Sequence, residues 1–314
     1  MAKYLNALPQ LSGDIFLTDG GIETTLIFHD GLDLPYFAAF DLLQTQLGKK
    51  ALRRYFQTYA SLAKQYGVGC VLESATWRAS SDWGDKLGYS AKALANANSQ
   101  AVALLYGIRQ SFETRHTPIV ISGCVGPRGD GYNPDTFMTA GEAKHYHAPQ
   151  VTTFRDAGTD LVTAITMTYT DEAIGIAQAA RAVGMPVALS FTVETDGKLP
   201  SGQSLGEAIE QVDAATNAAP VYYMINCAHP THFMATLESG GAWRNRIHGL
   251  RANASTKSHA ELDEATELDE GHPETLARQY GEVRQLLPNL NVFGGCCGTD
   301  ERHIEAICKV VLAA

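Results

Sequence analysis

No window of the 314-residue chain approaches the roughly 18 consecutive apolar residues that a membrane-spanning helix requires. The opening stretch, MAKYLNALPQLSGDIFLTDGG, lacks the long apolar run and small-residue cleavage site of a secretory signal. Basic residues are outnumbered by acidic ones, 24 to 34, and the formal charge of −10 argues against a nucleic-acid binder, which carries a basic patch or stripe. No proline-rich, serine-rich or low-complexity linker divides the chain. The acidic stretch HAELDEATELDEGHPE (259–274) reads as a solvated loop or helix face rather than a boundary. These absences point to a soluble, cytoplasmic protein of one domain, residues 1–314, with no nucleic-acid or membrane partner.

Cysteine is also scarce: Cys70, Cys124, Cys227, Cys296, Cys297 and Cys308. In a reducing compartment these are expected as free thiols or metal ligands rather than a disulfide framework. Two of them are adjacent, in VFGGCCGTDERHI (292–304), where a trans peptide leaves them poorly placed to bridge each other. The alternatives are two small buried side chains or two ligands aimed at one metal.

What is present is an alternation. Short aliphatic or β-branched runs fall near 15–18, 68–73, 118–122, 160–166, 186–192, 221–226, 247–251 and 290–294. Helical segments lie between them, such as Gly48 to Tyr66, Ala91 to Arg115, and the stretch from Thr170 to a stop at Gly184. Eight strands alternating with helices over this length predict a single-domain (β/α)8 TIM barrel. A doubly wound sheet gives a similar alternation, and the strand count separates the two.

In such a barrel the chemistry sits where strands end. Asp19, Gly20 and Gly21 follow the first strand, Glu73 to Trp77 the second, Asn226 and Cys227 the sixth, Arg251 to Asn253 the seventh, and Cys296 and Cys297 the eighth. Strand-end thiols from strands six and eight can converge on one point. Three thiolates with an open fourth position form a catalytic zinc arrangement, whereas a structural site closes with four ligands. Cys70, Cys124 and Cys308 are read as ordinary buried thiols.

At these residues the chain resembles the zinc-dependent homocysteine S-methyltransferase family. The likeness runs from TDGGIETTL to GGCCGTDERHI and rests on Asp19-Gly20-Gly21, Asn226-Cys227 and Gly294 to Thr299, with SGCVGPRGDGY and KLPSGQSL as internal landmarks. It implies Zn2+ on Cys227, Cys296 and Cys297, a small-molecule thiol acceptor, homocysteine, and a cationic methyl donor. It also implies that Asp19 helps hold the amino-acid part of the acceptor. A zinc-held thiol loses its proton at neutral pH and becomes a competent nucleophile toward an onium methyl group.

The resemblance breaks at the acceptor site. Ile165 stands where the family has a glutamate that binds the homocysteine amino group, and of the family's strand-seven segment only Asn253 is retained. Glu73, placed where an uncharged residue is usual, could replace the missing carboxylate, with Arg251 for the acceptor's carboxylate; the plain alternative is a structural pairing of Glu73 with Arg78 or Arg251. Trp77 and Phe37 are the aromatics expected against a cationic donor. The end at Ala314, without the extension resembling a dimerisation arm, favours S-methylmethionine or S-adenosylmethionine over a betaine, in a monomer or small homo-oligomer. Two other readings remain: a demethylase of another onium compound using a different thiol, and a non-catalytic zinc or thiol sensor closed by His229 or His303.

Overall fold

In a computed structural model, residues 2–132, 136–265 and 267–313 are described. Eight parallel strands close into a barrel in sequence order: β1 (Phe16–Leu17), β2 (Gly69–Glu73), β3 (Ile119–Val125), β4 (Leu161–Met167), β5 (Val187–Phe191), β6 (Pro220–Asn226), β7 (Ile247–Ala252) and β8 (Val292–Gly295). Each predicted run becomes a strand, so the chain is a (β/α)8 barrel. The expected helices form as Gln46–Tyr66, Ala91–Phe112 and Thr170–Ala182, the last with Tyr169 at its N-cap. The acidic stretch supplies the short helix His259–Asp263 and the start of Pro273–Leu286. No helix among the described residues is long and apolar enough to cross a membrane.

Strand periodicity decides what faces the barrel interior. Phe16, Val71, Val120, Leu161, Ala188, Tyr222, Met224 and Val292 pack there as one apolar cluster, closed below by Leu8. Side chains two residues on point to the same side of a strand. Glu73 therefore follows Val71 inward, and Arg251 follows Gly249, whose missing side chain makes room for Met224. A polar layer thus sits above the apolar one, toward the strand C-termini.

The paired glycines of GGCCG answer to close packing at this level. A Cβ on Gly294 would overlap Thr18 Oγ1 and come within 2.9 Å of the Asp19 carbonyl; one on Gly295 would overlap Thr299. The bare backbone lets β8 press against the end of β1. Gly294→Ala is expected to lower unfolding stability by about 1–3 kcal/mol, the usual cost of overpacking, as read by urea denaturation.

Candidate active site

β7 acts as the template for the cysteines. Asn226 and Gly294 both lie in register with Arg251, and Gly295 with Ala252. One residue further on, the Cys227 N–H donates to the Arg251 carbonyl (3.1 Å) and the Cys296 N–H to that of Ala252 (2.9 Å). The ladder continues just past the strand ends and brings the sulfurs of Cys227, Cys296 and Cys297 within 4.8 Å of one another. Asn253 ties the two loops together, its Nδ2 donating to the Cys227 carbonyl (3.0 Å) and its Oδ1 accepting from the Cys297 N–H (3.1 Å). Cys227 adopts a left-handed φ of 53°, uncommon for a residue with a side chain, and that turn aims its sulfur at the other two.

Cys227 and Cys296 are joined as a disulfide, with Cα atoms 5.4 Å apart. This corrects the expectation that all six cysteines would be free thiols or ligands. The bridge is made across strands, not between the neighbouring Cys296 and Cys297. It ties up two sulfurs, so a three-thiolate site belongs to the reduced protein. Cys297 lies outside the bridge and is half-buried, with the Tyr132 hydroxyl 3.4 Å from its sulfur. Cys70, Cys124 and Cys308 are buried free thiols, as expected.

Neither His229 nor His303 joins the sulfur cluster among the described residues. His229 caps the helix Pro230–Glu238, where its Nδ1 accepts from the Thr231 N–H, and burial pushes its pKa down to about 4. His303 lies against Asp300 and the Glu270 carbonyl.

The chain matches the family model of homocysteine S-methyltransferase over residues 16–311, nearly its whole length. It belongs to the homocysteine S-methyltransferase family. It is 24% identical to homocysteine S-methyltransferase 3 of Arabidopsis thaliana, over 95% of this chain and 90% of that protein. Its fold is similar to that of the Escherichia coli homocysteine methyltransferase MmuM in an oxidised form (19% identity, 97% and 98% of the two chains, TM-score 0.74). The metallated form of that enzyme is nearly as similar (18% identity, 98% and 99% of the chains, TM-score 0.72). The chain is accordingly a methyltransferase.

Against this family background the buried acidic and basic residues of the barrel mouth pair with one another. Arg251, buried in the barrel mouth, pairs with Asp19 (2.7 Å) and with Glu73, and also donates to the carbonyls of Gly295 (3.2 Å) and Gly20 (3.4 Å). Sequence reasoning offered Glu73 to an ammonium group and Arg251 to a carboxylate, with their mutual pairing as the plain alternative; that pairing forms. Burial pushes the Glu73 carboxyl up to about 7 against the opposing pull of Arg251, with Asp19 adding to the rise. Asp19 also meets the Tyr55 hydroxyl at 2.9 Å. Gly21 donates to the Thr299 carbonyl (3.0 Å), fastening the first loop to the cysteine loop.

Asn226 is fully buried and serves the backbone. Its Oδ1 accepts from the Thr166 N–H (3.0 Å) and the Ser190 hydroxyl (2.6 Å), while its Nδ2 donates to Thr166 Oγ1 (2.8 Å). Thr166 has φ 66° at a bulge in β4, and Asn226 satisfies the groups that the broken ladder frees. Trp77 donates from its indole N–H to the Ile165 carbonyl (3.2 Å), and the Arg78 guanidinium lies 4.0 Å from its ring centroid. Phe37 is 55% exposed, and it is Tyr36, not Phe37, whose ring reaches Trp83 (6.0 Å). Trp77 is thus held by Ile165 and Arg78, while the Phe37 ring is exposed.

Sequence reasoning missed His259, Glu194 and Tyr132. The His259 Nε2 lies 2.5 Å from the Cys227 carbonyl, its Nδ1 lies 3.0 Å from Glu194, and its ring stacks on Tyr132 with centroids 4.1 Å apart. His259 lies within the acidic stretch, where charge composition hid it. Tyr132 ends the quoted GPRGDGY landmark, the one available signal.

Asp300 anchors the far end of the cysteine loop. Burial alone would raise its carboxyl, but hydrogen bonds from His303 and Arg302 hold it well below the usual carboxylate range. A depressed carboxyl gives stability that is fully present above the unfolded-state pKa, about 3.9, and is lost as pH falls through the folded value. Asp300→Asn is expected to cost about 1.5–3 kcal/mol at pH 7 and to flatten the loss of stability below about pH 4, measured by denaturant titration across pH.

Proposed function

We propose that the reduced protein transfers a methyl group from an onium donor to the thiol of homocysteine, with Zn2+ held by Cys227, Cys296 and Cys297. The convergence of three sulfurs within 4.8 Å carries this reading. The donor set suits zinc: all ligands are soft thiolates, and tetrahedral zinc–sulfur bonds of about 2.3 Å need sulfurs at roughly such separations. Zinc bound there supplies the means to deprotonate a thiol at neutral pH.

The chain's own residues do the rest. Asn253 fixes the Cys227 carbonyl and the Cys297 N–H, so the two loops hold their sulfurs at one spacing. Cys296 and Cys297 are half-buried and face the barrel mouth, so an acceptor thiol can approach from there. Its sulfur attacks the donor's methyl carbon; the new S–CH3 bond forms as the onium–CH3 bond breaks, the bonding pair leaves with a neutral thioether or amine, and the thiol proton passes to solvent. Tyr132 sets its hydroxyl beside Cys297, with its ring stacked on His259. Alignment of thiolate, methyl and leaving group is the main remaining contribution.

A panel of donors (S-methylmethionine, S-adenosylmethionine, glycine betaine, dimethylsulfoniopropionate) against acceptors (homocysteine, cysteine, simple alkyl thiols), followed by mass spectrometry on reduced, zinc-loaded protein, tests the proposal. Methylation of homocysteine from a sulfonium donor is expected. Turnover only with another thiol would replace the acceptor, and no turnover with any pair would favour a sensor.

A further inference from the structure

The barrel mouth holds two kinds of charge. Asp19, Arg251 and Glu73 close on one another, as described above. Glu23 and Arg78 do not.

Arg78 follows β2 and is 5% exposed. Its guanidinium carbon lies 4.0 Å from the ring centroids of both Trp77 and Trp83, which leaves only its edges for polar contact. One edge is used: Nη1 donates to the Gly129 carbonyl at 2.7 Å. The other edge, formed by Nε and Nη2, is the fork that matches a carboxylate, and its buried Nε has no hydrogen-bond partner. No carboxylate of the described residues lies within ion-pair distance of Arg78, although Asp130 and Glu23 both act on its charge.

Glu23 heads the π-helical turn Thr24–His29, a rare backbone form that is frequent at functional sites. It is half-buried, and among the described residues no side chain pairs with it. Asp19, Arg78 and Arg251 all act on its carboxyl. The turn is fastened to the cysteine loop on both sides of Glu23, through Gly21 to Thr299 and through the Gly298 N–H to Thr24 Oγ1 (2.9 Å). Glu23 and Arg78 thus follow neighbouring strands, β1 and β2, at the barrel mouth, with the Glu23 turn tied to the cysteine loop and no ion pair between the two among the described residues. Leaving both unpaired in a half-buried site is costly.

An α-amino acid carries an ammonium and a carboxylate on one carbon, and so supplies one partner of each sign. We propose that Glu23 and the free edge of Arg78 form a zwitterion clamp that receives the ammonium and carboxylate of an amino-acid thiol, in place of the locked Glu73 and Arg251. This rests on the thiol-acceptor reading of the cysteine site.

The test uses calorimetric binding to reduced, zinc-loaded protein, with turnover measured in parallel. The probes are homocysteine, 3-aminopropanethiol, which lacks the carboxylate, and 4-mercaptobutanoate, which lacks the ammonium. The wild type is expected to bind homocysteine at least about 30-fold more tightly than either truncated thiol, the usual scale for a buried charge pair. Arg78→Gln should erase the preference over 3-aminopropanethiol, and Glu23→Gln that over 4-mercaptobutanoate, each leaving the corresponding truncated thiol within about threefold of its wild-type affinity. Arg78→Lys, which keeps charge but not the fork, should fall between. Zinc content and melting temperature identify a variant that fails to fold, and Arg78→Lys or Glu23→Asp, which keep the charge but not the geometry, then takes its place with a partial loss of the same preference expected. Equal binding of the three thiols by the wild type, or preferences unchanged in both Gln variants, would overturn the clamp even if homocysteine is methylated. Absence of turnover with intact binding preferences would instead defeat the methyl-transfer reading and leave the clamp standing.

Discussion

Replacing Cys297 with serine is expected to lower zinc affinity by more than about 100-fold and to abolish methyl transfer, in protein kept reduced throughout. Loss of an outer-shell partner usually costs 10–100-fold in metal affinity, and loss of a ligand should exceed that. Cys297 is the informative choice because it lies outside the Cys227–Cys296 disulfide, so its replacement leaves that chemistry intact. Serine keeps the shape but offers a harder oxygen that is protonated at neutral pH. Asn253→Ala should fall in the smaller, outer-shell range, since it frees the Cys297 N–H and the Cys227 carbonyl without removing a sulfur. Competition with a chromophoric chelator measures both. Wild-type affinity in Cys297→Ser would remove that residue from the site, and full activity after chelation would remove the metal from the mechanism.

The second large effect is on stability. Arg251→Met is expected to destabilise the protein by about 3–5 kcal/mol, because it strands two buried carboxylates, Asp19 and Glu73, around an apolar side chain. The loss should depend on pH in a definite sense. Burial already pushes Glu73 up to about 7, and removing the opposing cation pushes it further. A carboxyl raised in the folded state binds more protons than in the unfolded chain, so the variant should regain stability as pH falls from 8 toward 5. Glu73→Met combined with Arg251→Met should recover much of the loss, since replacing the charged pair with apolar groups removes the desolvation cost as well as the attraction. Urea denaturation at several pH values separates these outcomes. A cost below about 1 kcal/mol for Arg251→Met, without pH dependence, would mean that the cluster does not hold the barrel mouth.

The barrel was legible because each strand is a short β-branched run bounded by polar turns, and each becomes a strand of the closed sheet. The cysteine convergence was legible for a related reason: strand ends locate side chains well, and Cys227 and Cys296 each sit one residue beyond a strand. The pairing of Glu73 with Arg251 was legible as the plain alternative to substrate contact, because a buried carboxylate needs a partner. What escaped was that Asp19 joins it, which depends on the depth of the polar layer. Asn226 belonged to a motif, yet its hydrogen bonds go to a bulge in β4 that no periodicity announces. His259 was hidden because its contact depends on a fold-back against the Cys227 carbonyl, 32 residues away in sequence. The cross-strand disulfide was missed because compartment-based reasoning speaks about environment and not about two thiols held side by side.

On the proposed mechanism, reduced Cys227, Cys296 and Cys297 hold zinc with one position left for the acceptor thiol. X-ray absorption at the zinc edge, on reduced protein with and without homocysteine, decides this. Three sulfur neighbours at about 2.3 Å and one lighter neighbour are expected in the free protein, with a fourth sulfur replacing the lighter atom when homocysteine is added. Four protein ligands that stay unchanged on adding the thiol, or fewer than three sulfurs in the reduced protein, would contradict it.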